Sequence, residues 1–296
     1  MELRQLQYAI QIAIERNFSR AAEKLHIAQP SLSQQLSKLE KEIGVLLFQR
    51  TTNSVELTHA GSLFVEKSQK ILDMVEQLKQ EMEDISQMKK GKLVVGSMPI
   101  TGSTILPLVL PVFQKAYPDI EINLIEETSD NLETLTTSGK TDISLLSLPL
   151  KDDSLMYETL LEEEIVIAVP PQHPFSSRKE PIQLKELAQE RFIALKKGQG
   201  FHKLTMDLCM QAGFTPNIVF ESSNMETVQS LVAAGMGIAF VPNMVSKRIW
   251  GELTPVHLSL NDKPYRTLVI AYRKGRYLSK AAEAFIGTMR KTILSI

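Results

Sequence analysis

The chain has 296 residues, a formal net charge of −1, 43% hydrophobic residues and one cysteine, Cys209. That length suits about two domains with cores of their own, and the near-neutral balance excludes attachment to nucleic acid or membrane by bulk charge alone. A lone cysteine rules out an internal disulfide, and five scattered histidines offer no ligand spacing, so neither a disulfide scaffold nor a metal centre is expected.

Leu3, Leu6, Ile10 and Ala13 with Ile14 recur at helical spacing and predict an amphipathic first helix. Glu2, Arg4 and Gln5 interrupt any apolar signal core, so a cytoplasmic location is expected. Between Phe18 and Arg50 two helical patterns flank a tight break. Ser19 suits an N-cap, and Ala21 and Ala22 allow close packing over a short helix from Arg20 to Leu25. His26, Ile27 and Ala28 interrupt it, and Pro30 suits the first position of the next helix. Leu32, Leu36, Leu39 and Ile43 then form one face before Gly44 stops it. Two helices meeting at a sharp angle describe a helix-turn-helix.

The second helix presents Ser31, Ser33, Gln34 and Ser37, side chains able to exchange hydrogen bonds with base edges. Arg20, Lys24 and Lys38 can address phosphates. Leu46–Phe48 and Val55–Leu57 read as two strands of a wing, with Arg50 and Thr51 in its turn and Arg50 within reach of a minor groove. The DNA-facing candidates are therefore Ser19, Arg20, Gln29, Pro30, Ser31, Ser33, Gln34, Lys38, Arg50 and Thr51. On pattern alone, a helical hairpin with a solvated polar face fits too. Residues 1–58 carry seven Lys or Arg against six Asp or Glu, so affinity must come from where the charges sit.

The runs AAEKL at Ala21–Leu25, QPSLS at Gln29–Ser33, LEKEIG at Leu39–Gly44, LFQR at Leu47–Arg50 and LTHAG at Leu57–Gly61 keep a fixed spacing. Together they resemble the LysR-type transcriptional regulators. The resemblance implies an N-terminal DNA-binding domain, dimerisation through a linker helix, usually tetramers, and a periplasmic-binding-protein-like effector domain. GKTDI at Gly139–Ile143, AGFTP at Ala212–Pro216 and the run from Leu231 to Pro242 look like further segments of that family.

After the wing, Thr58 can cap a long helix from about His59 to Met88. Ile71, Val75, Leu78, Met82 and Ile85 alternate spacings of four and three, and the seam extends back through Phe64 and Ser68. Such a repeat marks a coiled coil, though a long helix lying on its own domain has a similar pattern. Two chains joined there would place two recognition helices on two half-sites.

Lys89, Lys90 and Gly91 end the helix, and strand and helix patterns then alternate. Strands are expected at 92–97, 120–126, 143–148, 164–169, 192–195, 218–221, 237–241 and 267–272, and helices at 103–116, 129–138, 184–188, 202–211, 224–234 and 278–293. That alternation implies an α/β domain with mostly parallel sheets. The expected fold is an all-α winged helix-turn-helix (1–58), a linker helix for dimerisation (59–90) and an α/β periplasmic-binding-protein-like domain (91–296). The last comprises subdomain I, about 91–161 and 268–296, and subdomain II, about 162–267. The uncharged windows 93–114 and 227–246 are broken by glycine and proline, so no membrane span is expected.

In open α/β sheets ligands bind beyond the carboxyl ends of strands, near helix N-termini. The segment Met98–Thr104 is expected to be such a strand-to-helix loop, with Ile100, Thr101 and Ser103 as contacts; Thr128, Ser129 and Ser147 occupy equivalent places. Ser and Thr at helix N-termini suit a small anion, and the same residues also serve as ordinary caps. The resemblance adds the loop from Lys196 to His202, with Phe201 and His202 as contacts; the family often has Ser or Thr where Ile100 stands.

The leading expectation is a DNA-binding regulator responding to a small metabolite, partnered by promoter DNA, its own copies as homodimer or homotetramer, and RNA polymerase. The alternative is a solute-binding protein with an N-terminal assembly module. No nucleophile–base pair, nucleotide loop or metal set is found, so no catalysis and no cofactor are expected. Cys209, between Leu208 and Met210, reads as a buried inert thiol, with redox sensing as the other reading.

Overall fold

A computed structural model describes residues 1–50, 55–85, 91–246 and 254–294. They divide into two compact units, one comprising the chain through the long helix together with residues 138–140 and the other the remaining residues.

In the first unit, α1 (Leu3–Glu15) buries Gln5, Leu6, Ala9 and Ile12. The expected stripe is rotated: Leu3 and Ile14 are exposed. Consecutive apolar residues at 9–10 and 12–14 made two faces compatible with the pattern, and the small Ala9 lies on the packed one. α2 (Phe18–Lys24) is capped by Asn17, whose Oδ1 accepts from Arg20 N at 3.0 Å. Ser19 is therefore an exposed first-turn residue and not the cap. The helix starts early because Phe18 is in the core, edge-on to Phe48. His26 takes a left-handed φ of 55° at the turn. α3 (Gln29–Ile43) has Ala28 as N-cap, Pro30 as its second residue and Gly44 left-handed at φ 77°. Leu32, Leu36 and Leu39 are buried against α1 and α2 residues, and Ile43 packs on the same core.

Strands β1 (Phe48–Arg50) and β2 (Val55–Leu57) pair antiparallel, Phe48 opposite Leu57. The first begins two residues later than expected, because Glu40 Oε1 takes the N–H groups of Leu47 (2.7 Å) and Phe48 (3.3 Å). α4 (His59–Ile85) starts at Thr58, whose Oγ1 accepts from Gly61 N at 2.9 Å. Phe64 packs on the helix-turn-helix core and Ser68 is buried, so the exposed seam does not extend back through them. From Ile71 on, the helix exposes Ile71, Met74, Leu78 and Met82, with Val75 half-buried. The side chain of Ile85 lies outside the described residues.

The second unit is built on β3 (Gly91–Ser97), α5 (Pro99–Ala116), β4 (Ile120–Glu126), α6 (Ser129–Thr137), β5 (Ile143–Ser147), β6 (Leu155–Val169), β7 (Arg191–Leu195), α7 (Gly200–Gln211), β8 (Asn217–Ser222), α8 (Met225–Ala233), β9 (Ala239–Pro242), α9 (Asn243–Ser246), β10 (Val256–Leu258), β11 (Tyr265–Arg273) and α10 (Lys280–Ile293). The sheets are mixed: β4, β3 and β5 are parallel, as are β7 and β8, while β11 and β6 join antiparallel. The expectation of mostly parallel sheets fails at β6, which is fifteen residues long and not six. Its first ten residues hold Glu158, Glu162, Glu163 and Glu164, which hid the strand pattern. Residues 184–187 form a 3₁₀ turn, and β10 was not foreseen.

In the first lobe, β4-β3-β5-β11 and the start of β6 carry α5 and α10 on one face and α6 on the other. In the second, the end of β6 runs between β9 and β10, packed with α7 and α8 residues. β6 and β11 thus cross between the lobes. Among the described residues, no helix is long and apolar enough to cross a membrane.

Candidate nucleic-acid interface and effector cleft

α3 rests its apolar face on α1 and α2, so its opposite face is open. Pro30, Ser31, Gln34, Ser37, Lys38 and Lys41 are exposed there, and Gln34, Gln35, Ser37, Lys38 and Lys41 line one concave strip. Gln29 Nε2 donates to Ser33 Oγ at 3.2 Å, which commits Ser33, half-buried, to its own helix. Gln34 is the freer amide for a base edge. Ser19 and Arg20 are exposed on α2, beside the helix N-terminus where phosphates are favoured. The structure adds Lys41 to the candidates; the signal was its spacing of seven from Gln34, two turns along the same face. The Arg50 side chain and Thr51 lie outside the described residues.

The other candidates gather at the carboxyl edge of three parallel strands. β3 ends at Ser97, beside Glu126 of β4 and Leu145 of β5, two residues before Ser147. α5 starts at once from Pro99, so Met98–Thr104 is the cap and first turns of a helix and not a loop. The proline at its first position was the overlooked signal. Met98 offers no side-chain cap, and Thr101, fully buried, has an Oγ1 with no partner among the described residues. Ser103 is instead turned back onto its helix, its Oγ 3.1 Å from Ile100 O. Ile100 packs on the core of the second lobe. Thr128 Oγ1 accepts weakly from Asn131 N at 3.5 Å, Ser129 opens α6 and Ser147 closes β5.

The second-lobe candidates are less open than expected. Phe201 is buried in that lobe's core, and His202 Nε2 stands 3.3 Å from Glu221 Oε1. The preceding loop is pinned by Lys196 N to Ser222 O at 2.9 Å and by Gln199 Nε2 to Ser223 O at 3.2 Å. Sequence reasoning missed Glu163 and Arg266, buried partners 103 residues apart that meet beside Phe201. No local pattern could have paired them. Cys209 is fully buried, and burial pushes its thiol up to about 12, well beyond thiolate chemistry near neutrality. Among the described residues no group of His, Cys, Asp or Glu could hold a metal.

Two family models match: the bacterial regulatory helix-turn-helix protein, lysR family, over residues 3–62, and the LysR substrate binding domain over residues 86–293. The chain is 40% identical to the HTH-type transcriptional regulator YcgK of Bacillus subtilis, covering 99% of this chain and 95% of that one. It is 31% identical to the DNA-binding transcriptional dual regulator OxyR of Escherichia coli, covering 98% and 95%. A full-length OxyR cysteine-to-aspartate variant from Pseudomonas aeruginosa superposes with a TM-score of 0.75 at 26% identity, over 99% of this chain and 94% of that one. These relatives are regulators, and the solute-binding alternative finds no support among them. The chain belongs to the LysR family of DNA-binding transcriptional regulators, with an N-terminal helix-turn-helix and a C-terminal effector-binding domain.

Proposed function

We propose that α3 reads promoter DNA through Gln34, with Gln29, Ser31 and Ser33 shaping its N-terminal turn and Arg20, Lys38 and Lys41 on phosphates. Two copies join along Ile71, Val75, Leu78, Met82 and Ile85 of the linker helix, within the division 1–58, 59–90 and 91–296. The protein works in the cytoplasm, alongside RNA polymerase. Its effector is a small anionic metabolite held at the first turns of α5 and α6, with Thr101, Thr128, Ser129 and Ser147 as polar contacts and Ile100 and Phe201 as apolar walls. The observation that carries the effector reading is the buried Thr101 hydroxyl without a partner at an uncapped helix start. A buried polar group left unpaired costs about 1–3 kcal/mol, which a ligand oxygen would relieve; the helix end favours that oxygen when it is negative.

The test is recovery of genomic DNA fragments on purified protein at near-physiological salt, followed by thermal-shift titration of small carboxylates, sulfate and phosphate. Enrichment of a few sites with an inverted repeat supports the reading. Uniform, salt-sensitive retention of every fragment reduces it to phosphate binding. No shift with any anion on the wild type removes the anionic effector. A shift equally large on Thr101→Val removes Thr101 from the site.

A further inference from the structure

Glu163 and Arg266 face each other directly in the register of β6 and β11, the strands that cross between the lobes. Both are buried, at 5% and 7% exposure. Glu163 Oε2 accepts from Arg266 Nε at 2.7 Å and lies 2.6 Å from Nη2, a charge-assisted fork onto one oxygen. The second oxygen, Oε1, accepts from Met244 N at 2.9 Å, at the start of α9. The guanidinium carbon lies 5.1 Å from the Phe201 ring centroid, on α7, and Nη2 is 3.9 Å from Met244 Sδ. Met244 itself packs on the cores of both lobes. One ion pair on the crossing strands therefore holds α7 and α9 of the second lobe in place.

Stability alone does not account for such a pair. Desolvating two charges offsets much of their attraction, and apolar residues of similar volume are often as stable or more so. Burial indeed lowers the pKa of Arg266, against the pull of Glu163. The pair's distinctive property is direction: a fork, a backbone bond and a stacked ring specify one orientation where apolar packing tolerates several.

We propose that Glu163 and Arg266 form a latch that fixes the resting angle between the two lobes and seats the Phe201 wall of the cleft. In regulating that cleft the latch rests on the effector reading; its mechanical role does not.

The test is hydrogen–deuterium exchange on the full-length protein without ligand, comparing wild type with the paired substitution Glu163→Met and Arg266→Met, which strands no charge. The latch predicts an unfolding midpoint within a few degrees of wild type, with exchange at Met244 and across residues 162–165 and 265–267 faster by about tenfold or more. Protection in β3 stays as it was. Unchanged exchange at Met244 and the crossover would show that the pair only fills space and overturns the proposal. Faster exchange everywhere with a fall in midpoint would make it a general structural support, which overturns it too. Because no ligand is present, a failure of the effector reading leaves this outcome untouched.

Discussion

The main chain of Gly61 runs so close to Leu47 that a β-carbon on it would stand 1.9 Å from the Leu47 carbonyl oxygen. Thr58 Oγ1 closes the same junction, donating to Leu46 O at 2.7 Å and accepting from Gly61 N. Helix propensity alone would make alanine at position 61 better by up to about 1 kcal/mol. The contact reverses that sign. Gly61→Ala is expected to destabilise the N-terminal unit by about 1–3 kcal/mol as the backbone is forced apart. Urea unfolding of the full chain followed by circular dichroism checks it; a higher midpoint would show that the junction yields freely.

Gln34 and Lys38 are predicted to fail in different ways. Gln34→Ala should lower discrimination between a recovered site and competitor DNA by about 1–3 kcal/mol, with little change in salt dependence. Lys38→Ala should weaken binding to all sequences alike and reduce the salt slope by about one. Titrations at several salt concentrations separate them, and an identical loss for both variants would mean that neither reads bases.

Ile71, Met74, Leu78 and Met82 stand exposed in a row along the linker helix, the kind of apolar surface that marks an interface. A Leu78→Lys, Met82→Lys variant should therefore sediment as a smaller species than wild type while its far-ultraviolet spectrum is unchanged. Wild-type mass at equal concentration would place the interface elsewhere.

This chain cannot form an internal disulfide, and its one thiol is buried with its ionisation pushed up to about 12. Iodoacetamide at pH 8 should label Cys209 far more slowly in the native protein than in urea. The sign for stability follows: the thiol ionises near 9 when unfolded and near 12 when folded, so its contribution is intact below about pH 9 and is lost as pH rises toward 12. Cys209→Ala should remove that part of the alkaline loss, and identical pH profiles for the two proteins would count against it.

The residues that were legible in sequence are those whose causes are local. Gly44 stops α3 through its own φ, and Leu32, Leu36 and Leu39 find the core by spacing. α1 was misread by one face because its apolar residues are consecutive, so periodicity could not choose between two stripes. The start of α5 was legible in Pro99 and missed, which turned a buried Thr101 into an expected loop residue. β6 was truncated because three consecutive glutamates mask a strand whose middle one is buried against Arg266 and the Met244 N–H, partners local pattern cannot supply.

β6 and β11 contain neither glycine nor proline over their whole lengths. Neither strand offers a glycine or proline joint, so the lobes share one continuous two-stranded ribbon and are not beads on a string. Its one irregularity is the register shift between Leu268 and Val269. A torque applied to one lobe is therefore delivered to the other with little slack, as a few degrees of twist shared along many residues. A change sensed in one lobe is therefore expected to reach the other as rotation and not as the opening of a gap.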